Sequence, residues 1–154
     1  MAPLTLSMQE ISDRFEIQDL LVRYTVAIDT KDWKLLDQCF LPDAQVDYTA
    51  TGGIKGAYPE VRAWLEKALS AFPMTVHFIS NSTVTLQGDA ARARTYVLNP
   101  MGFPKPDGSL HIFTVGGFYV DRLVRTAGGW RIAERVEETA FLDGTLPEAL
   151  QIPR

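Results

Sequence analysis

Two residues that could move or steer a proton sit in apolar company. His77, one of two histidines in the chain, stands between Val76 and Phe78 in the run MTVHFISN, and Asp29 ends the run RYTVAID. An imidazole changes charge near neutral pH, so His77 is a natural candidate for a general base. Asp29 follows Val22 and Val26 at the i, i+4, i+7 spacing of one helix face, which predicts a carboxylate aligned with buried aliphatic positions. At the C-terminal end of a helix such an anion loses hydration and meets the negative end of the dipole, so either its pKa rises or a cation or donor answers it. Each residue also has an ordinary explanation. Asp29 could accept the Asp32 backbone N–H and cap the next helix, and a strand histidine sharing a face with Ile79, Asn81 and Thr83 fits a pocket wall and a wet edge equally. Spacing alone leaves both pairs of readings open.

Tyr24 lies five positions before Asp29 on the same segment and is either a core tyrosine or a neutral hydrogen-bond donor to a ligand. Arg135, in AERVEE, is a candidate ligand contact, with a surface ion pair slightly favoured by the flanking glutamates. Asn81, Tyr48 and Phe78 are further candidates for substrate contact, and Asn99 and Tyr119 for polar contact. Cys39 is the single cysteine; placed in LLDQCF, it reads as an inert buried thiol. Two histidines far apart, with no carboxylates at ligand spacing, make a poor metal set, so no metal is expected.

The elements that must position these residues follow from periodicity and punctuation. Ser7 with Glu10 forms the S-x-x-E capping pattern ahead of Ile11, Phe15, Leu20, Leu21, Tyr24, Ala27 and Ile28, predicting a helix from about Ser7 to Ile28. TKDWKLLDQCF predicts a second, shorter helix behind a Thr30 cap, stopping before Pro42, and YPEVRAWLEKALSAF a third with proline in its first turn. AQVDYTA alternates as a strand. The character then becomes β: TVHFISNSTVTL and ARARTYVL flank GD, and LHIFTVGGFYVDRLVR and WRIAERVEETAF flank TAGG, two hairpin signatures in succession. Helices early and long antiparallel strands late specify an α+β fold, a curved sheet covered on one face by three helices. Gly116 and Gly117 inside the third long strand predict the bulge such curvature needs. A sheet wrapped on helices leaves a cone open at one end, a natural pocket for a small molecule.

A chain of 154 residues without repeats or a composition break is read as one domain, with its core over about residues 8–146. The formal charge of −4 offers no basic patch for phosphate backbones, so nucleic acid is not expected as a partner. Short apolar runs and an N-terminus without a basic start predict no membrane span and a cytoplasmic address. Along the late strands apolar residues occupy both parities, Phe113, Val115 and Tyr119 against Ile112, Phe118 and Val120. A sheet with one wet face alternates more cleanly, so the outer face is expected to be covered by another copy of the chain. A bulge at Gly116 and Gly117 that turned these residues inward is the alternative.

The element order ααβαββββ, the RYTVAID helix end followed by KDW, the HFISN strand opening and the closing GGWRIAERVEET strand resemble the SnoaL-like branch of the nuclear transport factor 2-like superfamily. The resemblance covers nearly the whole chain and implies a cone-shaped α+β barrel. In its dehydratase and dehydrochlorinase members an aspartate at the end of the first helix pairs with a histidine that takes a substrate proton during elimination; by position these are Asp29 and His77. Tyr24 falls where a dehydratase of the family has tyrosine and the dehydrochlorinase lysine, which suits oxygen-bearing substrates, and Arg135 matches an arginine near the dehydrochlorinase site. His111 does not fall where one dehydratase carries a second histidine, which leaves the proton donor to the leaving group unassigned. The resemblance thus implies a cofactor-independent lyase of dehydratase type, or an isomerase, acting on a small hydrophobic cyclic or aromatic metabolite, in a trimer or a dimer. The alternative is a non-catalytic binding or scaffold domain that kept the cone without the chemistry.

Overall fold

The computed structural model describes residues 5–147. Helix α1 runs over Met8–Thr30, α2 over Trp33–Asp37 and α3 over Tyr58–Leu69; the strands are β1 Phe40–Asp47, β2 Lys55–Ala57, β3 Met74–Thr75, β4 Phe78–Gln87, β5 Ala90–Pro104, β6 Leu110–Thr126 and β7 Gly129–Asp143. One 3₁₀ turn, Thr49–Thr51, joins β1 to β2. The sheet order is β2-β1-β7-β6-β5-β3, with β4 also paired to β5. Only the β1–β7 pairing is parallel among those strands. This is the expected α+β cone: three helices against a strongly curled, mostly antiparallel sheet.

The Ser7 capping box is closed in both directions, Glu10 N–H donating to Ser7 Oγ at 3.1 Å and Ser7 N–H to Glu10 Oε2 at 2.7 Å. From there α1 buries Ile17, Leu20, Leu21, Tyr24, Ala27 and Ile28, the stripe that a 3.6-residue period predicts. Val22 and Val26 are not part of it; they are 43% and 46% exposed. Asp29 therefore does not continue a buried aliphatic row, as the spacing had suggested, but sits at the edge of the stripe beside Ile28. The helix ends at Lys31, whose positive φ of 56° turns the chain. Asp32, not Thr30, caps α2, accepting the Leu35 N–H at 3.0 Å, while Thr30 bonds back to the Val26 carbonyl.

The two long hairpins form as their turns predict. The β6–β7 register shifts between Gly116 and Gly117, and a Cβ on Gly117 would collide with the Glu138 carbonyl, so the strands approach closely only because that position lacks a side chain. The shift does not move the second set of apolar residues inward: Ile112 is 54% exposed on the outer face. The core gathers under the helices around Leu36, Phe40, Val61, Leu123 and Ile132. Cys39 is sealed within it, and burial pushes its thiol up to about 11, in keeping with an inert residue.

Candidate active site

The open end of the cone is a cavity of about 410 Å³, within the range of small-molecule sites. Apolar side chains dominate its wall, among them Trp64, Leu65, Phe72, Met101, Phe113 and Val115. Its polar groups come from separate elements: Tyr24 from α1, Tyr48 after β1, His77 from the two-residue link between β3 and β4, Asn99 from β5, Tyr119 from β6 and Glu137 from β7.

Asp29 and His77 meet. The carboxylate holds the histidine twice: His77 Nδ1 lies 2.6 Å from Oδ1, and the His77 backbone N–H donates to Oδ2 at 2.8 Å. Thr75 Oγ1 donates to Oδ1 at 2.7 Å. The Asp32 N–H goes instead to the Ala27 carbonyl at 2.9 Å, so Asp29 is not a cap of α2. An ionised carboxylate can only accept, so Nδ1 carries a proton, and in the neutral ring it is Nε2 that holds the lone pair. Side-chain exposure is 5% for His77 and 24% for Asp29. Burial works to raise the Asp29 carboxyl, but the ring, the backbone N–H and Thr75 outweigh it and hold the group below the usual carboxylate range. The unfavourable helix end is thus answered by donors, one of the two outcomes expected of it.

Beside the dyad is a layer of tyrosines. Tyr24 Oη and Tyr48 Oη are 2.8 Å apart, and the Tyr24 ring stands edge-on to Tyr119 at 5.5 Å and to His77 at 6.4 Å between centroids. Burial raises the phenols of Tyr24, Tyr48 and Tyr119 above their ordinary value, keeping them neutral donors. Arg135 lies beneath them, its guanidinium 4.1 Å from the ring centroids of both Tyr24 and Tyr119. It is not the surface ion pair that the sequence favoured. Its side chain and that of Asp121 are both 0% exposed, joined by Nε–Oδ1 at 2.7 Å and Nη2–Oδ2 at 2.8 Å. Arg135 supports the cavity wall without lining it.

Two other sequence candidates fall outside the site. Phe78 is 58% exposed; as the strand neighbour of His77 it points to the opposite face. Asn81 is exposed at the register shift between Ser80 and Ser82 in β4, beyond the cavity. Two residues that line the cavity carry more than the sequence assigned them. Asn99 is 9% exposed and its Oδ1 has no hydrogen-bond partner among the described residues. Glu137, not singled out from the sequence, follows Arg135 at the period-2 spacing that turns both inward; that alternation was the available signal.

Residues 9–136 match the SnoaL-like domain family. Rv2910c of Mycobacterium tuberculosis, itself uncharacterised, is 46% identical over 136 residues, which cover 88% of this chain and 91% of that protein. Among solved structures, a candidate aromatic ring hydroxylase from Novosphingobium aromaticivorans superposes with a TM-score of 0.78 at 29% identity, covering 95% of this chain and 97% of that one. A candidate scytalone dehydratase from the same organism gives 0.78 at 21% identity, covering 91% and 92%. The hexachlorocyclohexane dehydrochlorinase LinA-type3 of Novosphingobium barchaimii gives 0.73 at 18%, covering 94% and 97%. At these last two identities the likeness is one of fold.

Proposed function

The chain belongs to the SnoaL-like domain family, and on that footing we propose that it is a cofactor-independent lyase of dehydratase type, or an isomerase, acting on small hydrophobic cyclic or aromatic compounds with Asp29 and His77 as its general base. One observation carries the reading: a half-buried carboxylate grips both Nδ1 and the backbone N–H of a histidine on the wall of an apolar cavity. Orientation of this kind fixes the tautomer, so Nε2 is presented ready to take a proton. The imidazolium formed on proton abstraction then pairs with Asp29 in a site largely shielded from water, where that attraction is strongest. Tyr24 and Tyr48 offer neutral hydroxyls to an oxygen that gains charge as the C–H bond breaks. The fold is one that proteins named for dehydration and for dehydrochlorination also use.

The test needs no knowledge of the natural substrate. Cyclic ketones incubated with the protein in D₂O should exchange their α-hydrogens faster than in buffer. His77→Gln or Asp29→Asn should slow that exchange by about 10²- to 10⁴-fold. Exchange that both variants catalyse as well as the unaltered chain would sink the base assignment and leave a binding domain.

Assembly through the outer face of the sheet is part of the same reading. Tyr96, Leu98, Ile112 and Phe141 are 50%, 40%, 54% and 51% exposed there, a patch that monomeric proteins rarely leave in water. A trimer or dimer is expected. Light scattering that returned a mass near 17.2 kDa at micromolar concentration would refute it.

A further inference from the structure

Glu137 and Glu138 are adjacent on β7 and meet opposite fates. Glu138 faces outward and pairs with Arg94 at 2.5 Å, both about half exposed. Glu137 faces inward, opposite Tyr119 in the β6–β7 register, and lines the cavity that His77 lines. No cation among the described residues is bonded to it. Arg135, two residues away on the same face, spends Nε and Nη2 on Asp121, and its Nη1 has no hydrogen-bond partner at all among the described residues. A carboxylate beside a guanidinium with an unused N–H would be expected to take it; Glu137 does not.

It meets Thr51 instead, whose Oγ1 lies 3.0 Å from Glu137 Oε2 and 3.0 Å from the Tyr48 carbonyl. A hydroxyl has one proton. With that proton on Glu137, the glutamate is an ionised acceptor; with it on the carbonyl, which can only accept, the contact is made by a glutamic acid donating to Thr51. The same geometry therefore serves the group before and after it gives up a proton. The groups around it are Tyr24 from α1, Tyr48 and Thr51 after β1, Tyr119 from β6, Arg135 from β7 and His77. Burial raises the Glu137 carboxyl above the ordinary range, against the hydrogen bond of Thr51 and the charges of His77 and Arg135.

We propose that Glu137 is the proton donor of this cavity and that the compounds turned over there lose a hydroxyl, as water, and not a halide. The inference rests on His77 as the base. In the step it describes, His77 Nε2 takes a proton from the carbon beside a carbonyl, the electron pair of that C–H bond becomes the new C=C bond, and the C–O bond to the neighbouring hydroxyl breaks. Hydroxide is a poor leaving group and departs as water with the Glu137 proton; chloride needs none. The imidazolium then returns its proton to the Glu137 carboxylate, directly or through water, and both groups are restored.

Two measurements test it. Infrared spectra at pH 7 should contain the C=O stretch of an un-ionised carboxylic acid in the unaltered protein and in His77→Gln, and lose it in Glu137→Gln; an unaltered protein without that band overturns the proposal. Elimination from 3-hydroxycyclohexanone and 3-chlorocyclohexanone, followed by the absorbance of the shared product 2-cyclohexenone, then separates the two roles. Glu137→Gln should slow the hydroxy compound by about a hundredfold or more and the chloro compound by a few-fold at most, whereas His77→Gln should slow both. Equal losses with both compounds in Glu137→Gln, or none, overturn the donor. Unchanged rates in His77→Gln would instead overturn the base and leave the infrared result for Glu137 standing.

Discussion

Two aspartates, one sealed and one half-buried, flank the tyrosine layer, and each holds its partner by two hydrogen bonds, one to each carboxylate oxygen. Asp121 takes Nε and Nη2 of Arg135; Asp29 takes Nδ1 and the backbone N–H of His77. Tyr24 touches both pairs, its ring lying over the guanidinium and edge-on to the imidazole. The partners differ in what they can do next. A guanidinium is charged at any pH a protein meets, and this one is sealed from solvent on all sides, so the pair can only support. An imidazole can change charge, and this one opens on a cavity. The same two-point grip yields a fixed platform in one place and a positioned base in the other, and the side chain gripped decides which.

The largest expected effects should therefore separate cleanly. His77→Gln should cost about 10²- to 10⁴-fold in elimination or exchange, while the urea midpoint moves little, since the glutamine leaves no buried charge unanswered. Arg135→Met should do the reverse to stability, leaving Asp121 ionised and unpaired in the core at a cost of about 3–5 kcal/mol, read as a lower urea midpoint at unchanged slope. Equal loss of stability in both variants would dissolve the contrast. A smaller effect belongs to the residue between them. Tyr24→Phe keeps the ring on Arg135 but removes the hydroxyl that meets Tyr48, and should cost about 1 kcal/mol of stability. Elimination should slow by about tenfold, in line with one lost hydrogen bond to the reacting oxygen.

What the sequence disclosed of this contrast was uneven, for physical reasons. Helix α1, its capping box and the two hairpins were legible because local chemistry decides them: Ser7 and Glu10 close their own loop, and GD and TAGG turn the chain. The Asp29–His77 meeting became legible through the resemblance, for nothing in the spacing of residues so far apart in the chain brings them together. Alternation was not enough at AERVEET because both faces of the sheet carry apolar residues, so parity did not say which face was inside; Arg135 was weighed slightly toward the surface and Glu137 was passed over. Val22 and Val26 failed differently. Three positions at helical spacing define a face but not which face is buried, and the fuller stripe from Ile17 to Ile28 was the better guide. Phe78 was lost because, next to His77 in the chain, it faces the other way, and Asn81 to the register shift in β4, which no residue type announces.

The smallest predicted effect asks whether the charge of Asp29, apart from its shape, matters to the fold. Three donors converge on its two oxygens: the ring Nδ1–H and the Thr75 hydroxyl on Oδ1, and the His77 N–H on Oδ2. A proton added to either oxygen would face a donor, which is why the folded pKa lies below the unfolded value. For a depressed carboxyl, the linked stability is present above the unfolded pKa of about 3.9 and is lost as pH falls through the lower folded pKa. The urea midpoint of the unaltered chain should thus exceed that of Asp29→Asn from pH 6 down to about pH 4, and the gap should narrow below that. It should not reverse, because the asparagine amide also turns a donor toward a donor, and that penalty is present at every pH. Protonating the imidazole leaves Nδ1–H in place, so the grip on Oδ1 survives the transition that changes the ring's charge. A gap of constant size across the range would mean that Asp29 contributes shape alone, and its hold on His77 would then lack the electrostatic component that a base needs once it has taken its proton.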